Sequence, residues 1–267
     1  MLFRSTVVVE NRAGASGNIA TETVAKSKPD GLTLYVAPGA SVLAASPHLF
    51  KKLPFDPIND FEHITTLNTS AFVLAVSGAS PFRSVAELTA FLREKGEKGS
   101  YGSIANPGLV SSELYKAAFG LKTQEIKYRD TGPMLNDLIT GQLDFFHVDA
   151  TVLPSYLESG KLRAIATGSA EKLASMPQIP GAREAGIPNS DIRTWWSVHA
   201  PAKTPKAICD RLEEAFNVIA VAPDTVKFLA GTGSDPLPGN SKMLRELLLA
   251  ETKAWEGYVR LAKIEPQ

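Results

Sequence analysis

The stretch Leu32-Thr33-Leu34-Tyr35-Val36-Ala37-Pro38-Gly39-Ala40-Ser41 decides the architecture. Its first six residues are mostly apolar and read as a strand. The Pro-Gly-Ala-Ser after them breaks that pattern and opens into a short helix toward Phe50. A strand that ends in a loop of small residues and passes into a helix is the repeating unit of α/β proteins.

The unit recurs on both sides. Upstream, residues 6–11 (Thr-Val-Val-Val-Glu-Asn) are expected to form a buried strand of a parallel sheet. Residues 12–18 are the small-residue loop, and a helix over 19–27 closes at Lys28-Pro29-Asp30-Gly31. Downstream, residues 71–76 read as a strand. Ser84 and Glu87 have the spacing of a capping box, in which each side chain satisfies a free N–H at a helix start, and that helix is expected to run to about Lys95. Ser100-Tyr101-Gly102-Ser103 leads through Ala105-Asn106-Pro107-Gly108 into a helix containing Glu113 to Phe119, stopped by Gly120. Strands are expected at 124–128, 143–148, 162–167 and 195–200, with Thr131-Gly132-Pro133 preceding a helix over 134–140. This alternation predicts an α/β fold with parallel sheets.

Two strands stand out by the segments they lead into. Phe72-Val73-Leu74-Ala75-Val76 runs on to a Pro and a Ser-capped helix, and Trp196-Ser197-Val198-His199-Ala200 runs on to Pro201 and the Thr204-Pro205 helix start. They read as two hinge strands. Lobe one is then residues 1–76 and 201–267, and lobe two is residues 77–200, with a cleft between them suited to hinge closure on a ligand.

Composition narrows the function. The chain has 267 residues, 44% hydrophobic and 21% charged, as in ordinary globular proteins. Its 28 Lys plus Arg balance 28 Asp plus Glu, so no net field gathers a polyanion, and nucleic acid is not an expected partner. The longest uncharged stretch, residues 64–82, is diluted by Thr, Asn, Ser, Gly and Pro and does not read as a membrane span. The one cysteine, Cys209, has no partner for an internal disulfide. The four histidines, His48, His63, His147 and His199, lack metal-ligand spacing, so neither metal nor cofactor is expected. Cys209 shares apolar helical spacing with Ile208 and Leu212 and reads as packing.

The loops carry what chemistry there is. Residues 13–18, 38–42, 103–108 and 129–132 each place small residues ahead of a helix, where free backbone N–H groups and the positive end of the helix dipole suit an anion. Gly and Ser also serve ordinary turns, and it is the repetition that favours a binding role. Enzyme signals are poor: Gly14 and Gly17 do not complete GxGxxG, no phosphate-binding GxxxxGK[ST] occurs, and Ser16, Ser41 and Ser103 lack the GxSxG frame. His147 and Asp149 lie two apart on a strand and could form an acid/base pair, but no nucleophile stands near them in sequence; a hydrogen-bonded structural histidine is the plainer reading. Trp195 and Trp196 alternate across one strand, so at most one faces the cleft.

Several ordered blocks resemble the Bug family, the substrate-binding proteins of tripartite tricarboxylate transporters. They are Val7-Val8-Val9-Glu10-Asn11-Arg12 with Gly14 and Gly17-Asn18-Ile19; Pro29-Asp30-Gly31; and, most distinctively, Ser46-Pro47-His48-Leu49-Phe50-Lys51-Lys52-Leu53-Pro54-Phe55-Asp56-Pro57 with Asp60-Phe61. Tyr128-Arg129, Gly141-Gln142-Leu143-Asp144, Val148-Asp149, Gly160-Lys161-Leu162-Arg163 and the 201–205 segment continue in order. The resemblance implies a two-lobed, type II-like periplasmic-binding-protein fold without catalysis. It further implies capture of a small carboxylate for delivery to the membrane components of a tripartite tricarboxylate transporter, a periplasmic location and a monomer. Carried over by position, Ala40, Ser41 and Val42 would line lobe one, and Ser103, Asn106, Thr131 and Asp149 would line lobe two. Ser, Thr, Asn and main-chain N–H groups would hold the carboxylate, and Asp149 would accept from an amino, hydroxyl or water donor. A ligand-sensing regulatory module on the same fold, or a degenerate fragment that binds nothing, are the alternatives.

The chain departs from the family pattern in three places. The strand, Pro/Gly-rich loop and helix that usually precede the Val-rich strand are absent, so lobe one is expected to be truncated and a signal peptide lost with the missing part. Leu2-Phe3-Arg4-Ser5 matches the translation of a common sequencing adapter, which makes residues 1–5 a candidate assembly artefact. The loop after Ser103 is shorter than usual, and Asp130 stands where Gly is common, adding negative charge beside an expected anion site.

Overall fold

A computed structural model describes residues 6–12, 14–104 and 106–266, with the side chain of Asn106 outside the description; residues 1–5, Ala13, Ala105 and Gln267 lie outside the described residues. The 32–41 stretch folds as its pattern predicts in kind. Helix α1 (Asn18–Ala25) precedes strand β1 (Tyr35–Pro38), which passes through Gly39 into a π-helical turn, Ala40–Ala44, and a short helix α2 (Ser46–Leu49). Then comes β2, a strand of 17 residues, Phe61–Ser77, which organises the molecule.

Beyond β2 the chain alternates: α3 (Val85–Lys95), β3 (Ser100–Ser103), α4 (Asn106–Phe119), β4 (Gln124–Lys127), α5 (Thr131–Ile139), β5 (Phe145–Asp149), α6 (Pro154–Glu158) and β6 (Leu162–Thr167). It returns through β7 (Arg193–Pro201) and closes with α7 (Lys206–Ala220), α8 (Pro223–Gly231), the two-residue β8 (Asp235–Pro236) and α9 (Ser241–Leu261). The Ser84 capping box is present: Ser84 Oγ accepts from Glu87 N at 3.2 Å while Glu87 Oε2 accepts from Ser84 N at 3.2 Å.

Strand β2 belongs to two sheets. Residues 61–71 pair antiparallel with β7, which pairs on its other side with β1, Tyr35 opposite His199 and Pro38 opposite Trp196. From Phe72 onward β2 pairs with β5 on one side and β6 on the other, Phe72 facing Asp149 and Val73 facing Thr167. Strands β5, β3 and β4 then run parallel. The expected α/β fold is therefore mixed: among the described residues parallel pairing is confined to these three strands, which are joined by the helical crossovers that such pairing needs. The change of sheet also comes earlier than the boundaries expected at residues 76 and 201. Partners switch between Ala71 and Phe72, and β7 lies wholly in the first sheet.

The valine-rich segment 6–11 is not a strand. Val7, Val8 and Val9 are 67%, 84% and 81% exposed, and no strand pairs with them among the described residues. A β-branched run becomes a strand only where a partner strand takes its hydrogen bonds and a face is buried. Two large apolar clusters flank the second sheet. One joins α5 to β5 and the 173–179 loop, and the other joins α3 and α4 to Tyr101 and Phe145. The first sheet is covered by α7 on one face. On the other, α9 and the 40–45 region pack around Trp195 and Trp255, with Val110 of α4. Among the described residues no helix is long and apolar enough to cross a membrane.

Candidate ligand-binding site

The strand directions aim both groups of loops at one place. Strand β1 runs the same way as β2, since each is antiparallel to β7, so its C-terminal end meets β2 near the row Pro38–Trp196–Asn68. Strand β5 runs against β2, and its C-terminal end, Asp149, meets β2 at Phe72. Asn68 and Phe72 are four residues apart, about 13 Å along a strand. The C-terminal ends of β3 and β4 lie beside that of β5 in the parallel block. Loops at strand C-terminal ends are where α/β proteins bind small ligands.

On the first-sheet bank, the loop after Pro38 is built tightly. Gly39 stands beside Trp195, and a Cβ added there would lie 1.8 Å from the indole Cζ3, so no other residue fits without displacing the ring. Ala40 and Val42 are buried, and Val42 packs on Gly17, where a Cβ would meet Val42 Cγ2 at 2.8 Å. This contact brings the 14–18 loop against the 38–42 loop. Ser41 Oγ donates to Pro38 O at 3.3 Å. With Ala40 and Val42 turned into the protein, what this bank offers is main chain: the N–H groups at the start of a helical turn have no partner within it. A π-helical turn, as found over Ala40–Ala44, is rare and often marks a functional site.

On the second-sheet bank, side chains dominate. Asp149 ends β5; its Oδ1 accepts from Thr151 N at 2.9 Å and Thr151 Oγ1 at 2.7 Å, which caps the turn after it and leaves Oδ2 to a further donor. Ser103 ends β3 nearly buried, and its hydroxyl donates to Glu125 Oε1 at 2.5 Å. While that bond holds, Ser103 can accept from a ligand but not donate to it. Thr131 is the first residue of α5, behind Asp130 at the N-cap position, whose side chain makes no capping bond. Asn106 opens α4, and the first turn of that helix lies close on β5: a Cβ on Gly108 would sit 2.7 Å from His147 O. All four expected residues of this bank thus lie at C-terminal strand ends or at the starts of the helices beyond them.

Histidine 147 has the structural role. It is buried, its Nδ1 is 3.0 Å from Ser112 Oγ, and burial pushes its pKa down to about 3, so it is neutral and far from acid/base duty. Asp149 is bonded to Thr151 instead. A second buried pair lies in the first sheet: His63 Nδ1 and His199 Nδ1 are 2.9 Å apart, with His63 Nε2 3.1 Å from Ile58 O and His199 Nε2 2.7 Å from Ser197 Oγ. Burial lowers both pKa values. Among the described residues no three His, Cys, Asp or Glu side chains are grouped to hold a metal. Cys209 is partly buried beside Ile208 and Leu212. Trp195 is 2% exposed and Trp196 39%. Sequence spacing put Gly39 in a candidate loop but missed its contact with Trp195, together with Glu125 and the closeness of Gly17 to Val42, since each depends on a contact between distant segments.

The model of the tripartite tricarboxylate transporter family receptor matches residues 2–262. Among solved structures, that of an R. palustris protein with adipate has a TM-score of 0.87 at 28% identity, covering 99% of this chain and 89% of that one. The periplasmic binding protein BugD gives 0.84 at 25% identity, covering 100% and 90%. MatC from Rhodopseudomonas palustris, with bound malate, gives 0.77 at 26% identity, covering 92% and 85%.

Proposed function

The chain belongs to the tripartite tricarboxylate transporter receptor family, whose members are periplasmic solute receptors rather than enzymes, and from that premise we propose how it holds its ligand. It is a carboxylate-binding solute receptor working with a tripartite transporter. The ligand lies between two lobes, residues 6–71 with 193–266 and residues 72–192, on the side where β1 and β5 both end. The convergence of those two strand ends on one segment of β2 carries this reading.

A carboxylate of the ligand is held at the 38–42 loop by main-chain N–H groups near Ala40, Ser41 and Val42, where the start of a helical turn favours negative charge. The other bank, with Ser103, Asn106, Thr131 and Asp149, takes the remainder of the molecule. Asp149 accepts from a hydroxyl, an amino group or a bridging water. One chain supplies both banks, so one copy suffices for binding.

Thermal melting with a carboxylate panel tests this, with malate and adipate as first probes and their dimethyl esters as controls. A ligand at 100 times its dissociation constant stabilises the fold by about 2.7 kcal/mol, a shift of several degrees. The expected result is a shift with at least one free acid and none with its ester. No shift with any acid removes the proposal.

A further inference from the structure

Four buried polar side-chain atoms among the described residues have no hydrogen-bond partner: Thr123 Oγ1, Ser175 Oγ, Thr194 Oγ1 and Trp195 Nε1. The first three are hydroxyls that turn to suit whatever acceptor is near. The indole N–H is a donor only, with one fixed direction, so it cannot adapt. Buried N–H groups are nearly always paired, and an unpaired one asks for an explanation.

Its place in the fold supplies one. Trp195 stands on β7 opposite Thr69, one position from the row where β1 ends against β7 and β2. The ring edge formed by Cε3, Cζ3 and Cη2 is spent on Gly39, with a built Cβ there only 1.8 to 2.3 Å from those atoms. Nε1 lies in the five-membered ring, which none of these three nearest contacts involves. The apolar cluster around the ring draws Ala40 from the loop, Ile192 from the return and Val110 from α4. The 38–42 loop, which the ring meets at Gly39, and the first turns of α4, which supply Val110 to the same cluster, belong to the two banks of the proposed site. A buried donor without a partner is unfavourable unless something else accepts its hydrogen bond.

We propose that Trp195 Nε1–H donates to a carboxylate oxygen of the bound acid, reached when the 38–42 loop and α4 part to admit it. This rests on the carboxylate-receptor reading and adds a side-chain donor to a bank that otherwise offers main chain. The same ring, by lying under Gly39, sets the position of the loop, so recognition and loop geometry share one residue.

The test compares the wild type with Trp195→Phe and Trp196→Phe, using malate and adipate as probes. Three measurements are made: the dissociation constant, the melting temperature without ligand, and the indole N–H resonances of Trp195, Trp196 and Trp255 during titration. A donor to the ligand predicts that Trp195→Phe weakens binding about tenfold. The smaller ring also leaves a cavity beside Gly39 and lowers ligand-free stability whether or not the indole N–H meets the ligand, so the resonances decide between the two roles. It also predicts that the Trp195 resonance moves on titration and that Trp196→Phe binds as the wild type does. If the wild type binds and Trp195→Phe binds equally well with its resonance unmoved, the donor role is overturned and the receptor reading stands. If Trp195→Phe loses affinity but the wild-type Trp195 resonance stays unmoved on titration, the ring is structural only and the donor role again falls. If the wild type binds no acid, both readings fall together.

Discussion

In the proposed site the 38–42 loop offers a ligand main-chain N–H groups, with the Trp195 indole as the one side-chain donor, because Ala40 and Val42 are buried and Ser41 bonds back to Pro38. At the edge of the second sheet the groups offered are a carboxylate and hydroxyls: Asp149, Thr131, and Ser103, whose O–H already donates a hydrogen bond to Glu125. The first bank is neutral and donates; the second is acidic and mostly accepts. A ligand that satisfies both must present an anion to one side and a donor to the other. If the proposed banks hold the ligand, a hydroxy or amino acid fits better than a plain dicarboxylate whose second charge meets Asp149. Because backbone geometry sets the first bank and side-chain identity sets the second, substitutions in the two should fail differently.

The largest effect is expected at Gly39. Gly39→Val puts a branched side chain where even one carbon overlaps the Trp195 ring. Overpacking of this kind costs about 3 kcal/mol or more, since neither the loop nor the ring can yield without disturbing the core. Urea denaturation should show that loss, and whatever folds should bind no acid. Retained stability would mean that the first bank is not held rigid by the ring.

Asp149→Asn is expected to be selective. Asparagine keeps a carbonyl oxygen for the Thr151 cap but replaces the other acceptor with a donor. Calorimetric titration should show malate weakened by about tenfold to a hundredfold, the range for a hydrogen bond to a charged group, with adipate unchanged or tighter. Equal loss for both acids would mean that the second bank does not read the donor.

Acid separates the two sheets by their histidines. Burial holds His63 and His199 in the first sheet, and His147 in the second, below the usual histidine range. In the unfolded chain each takes a proton near pH 6.5, so below that pH the unfolded state binds more protons than the folded one. Stability contributed by the neutral rings is thus present above pH 6.5 and lost as pH falls toward the folded values, by up to about 1.4 kcal/mol per unit for each histidine. Glu251 acts in the opposite sense. Burial first, then Asp191, raise its pKa to about 7, against Arg193, so its contribution is present at about pH 4.5 and lost as pH rises through 7. Melting temperatures over pH 4.5–8 should fall on the acid side. Glu251→Gln should raise the melting temperature at pH 8 relative to the wild type and lower that advantage toward pH 4.5.

The smallest effect is expected at Ser103. Ser103→Ala removes the donor that meets Glu125, but water can replace it at that partly exposed carboxylate. A loss of about 1 kcal/mol or less in denaturation, with affinity changed by less than about threefold, is the expected result.

Much of the second sheet was legible in the chain, because alternating apolar strands and capped helices carry their own local signals: the Ser84 box, the placement of Ser103 and Asp149 at strand ends and of Thr131 at a helix start needed no tertiary knowledge. The first half of β2 was not. Residues 61–70 are full of Thr, Ser, Asn and His, and their burial depends on distant partners. Thr65 Oγ1 donates to Asn217 Oδ1 at 2.9 Å, Thr66 Oγ1 to Leu237 O at 2.5 Å, and Ser70 Oγ to Gly233 O at 2.9 Å. No local pattern announces such a strand. The opposite error, a strand expected at Val7 to Val9, has the same root: β structure is a property of pairs, and the chain segment alone does not reveal whether a partner is present.

A crystal structure grown with malate measures the comparison between the two banks most directly. The expected map shows one carboxylate within hydrogen-bonding distance of the main-chain N–H groups near Ala40 and Ser41, and the malate hydroxyl on Asp149 Oδ2. Malate bound by one sheet alone, or seated away from the ends of β1 and β5, would contradict a site shared by both.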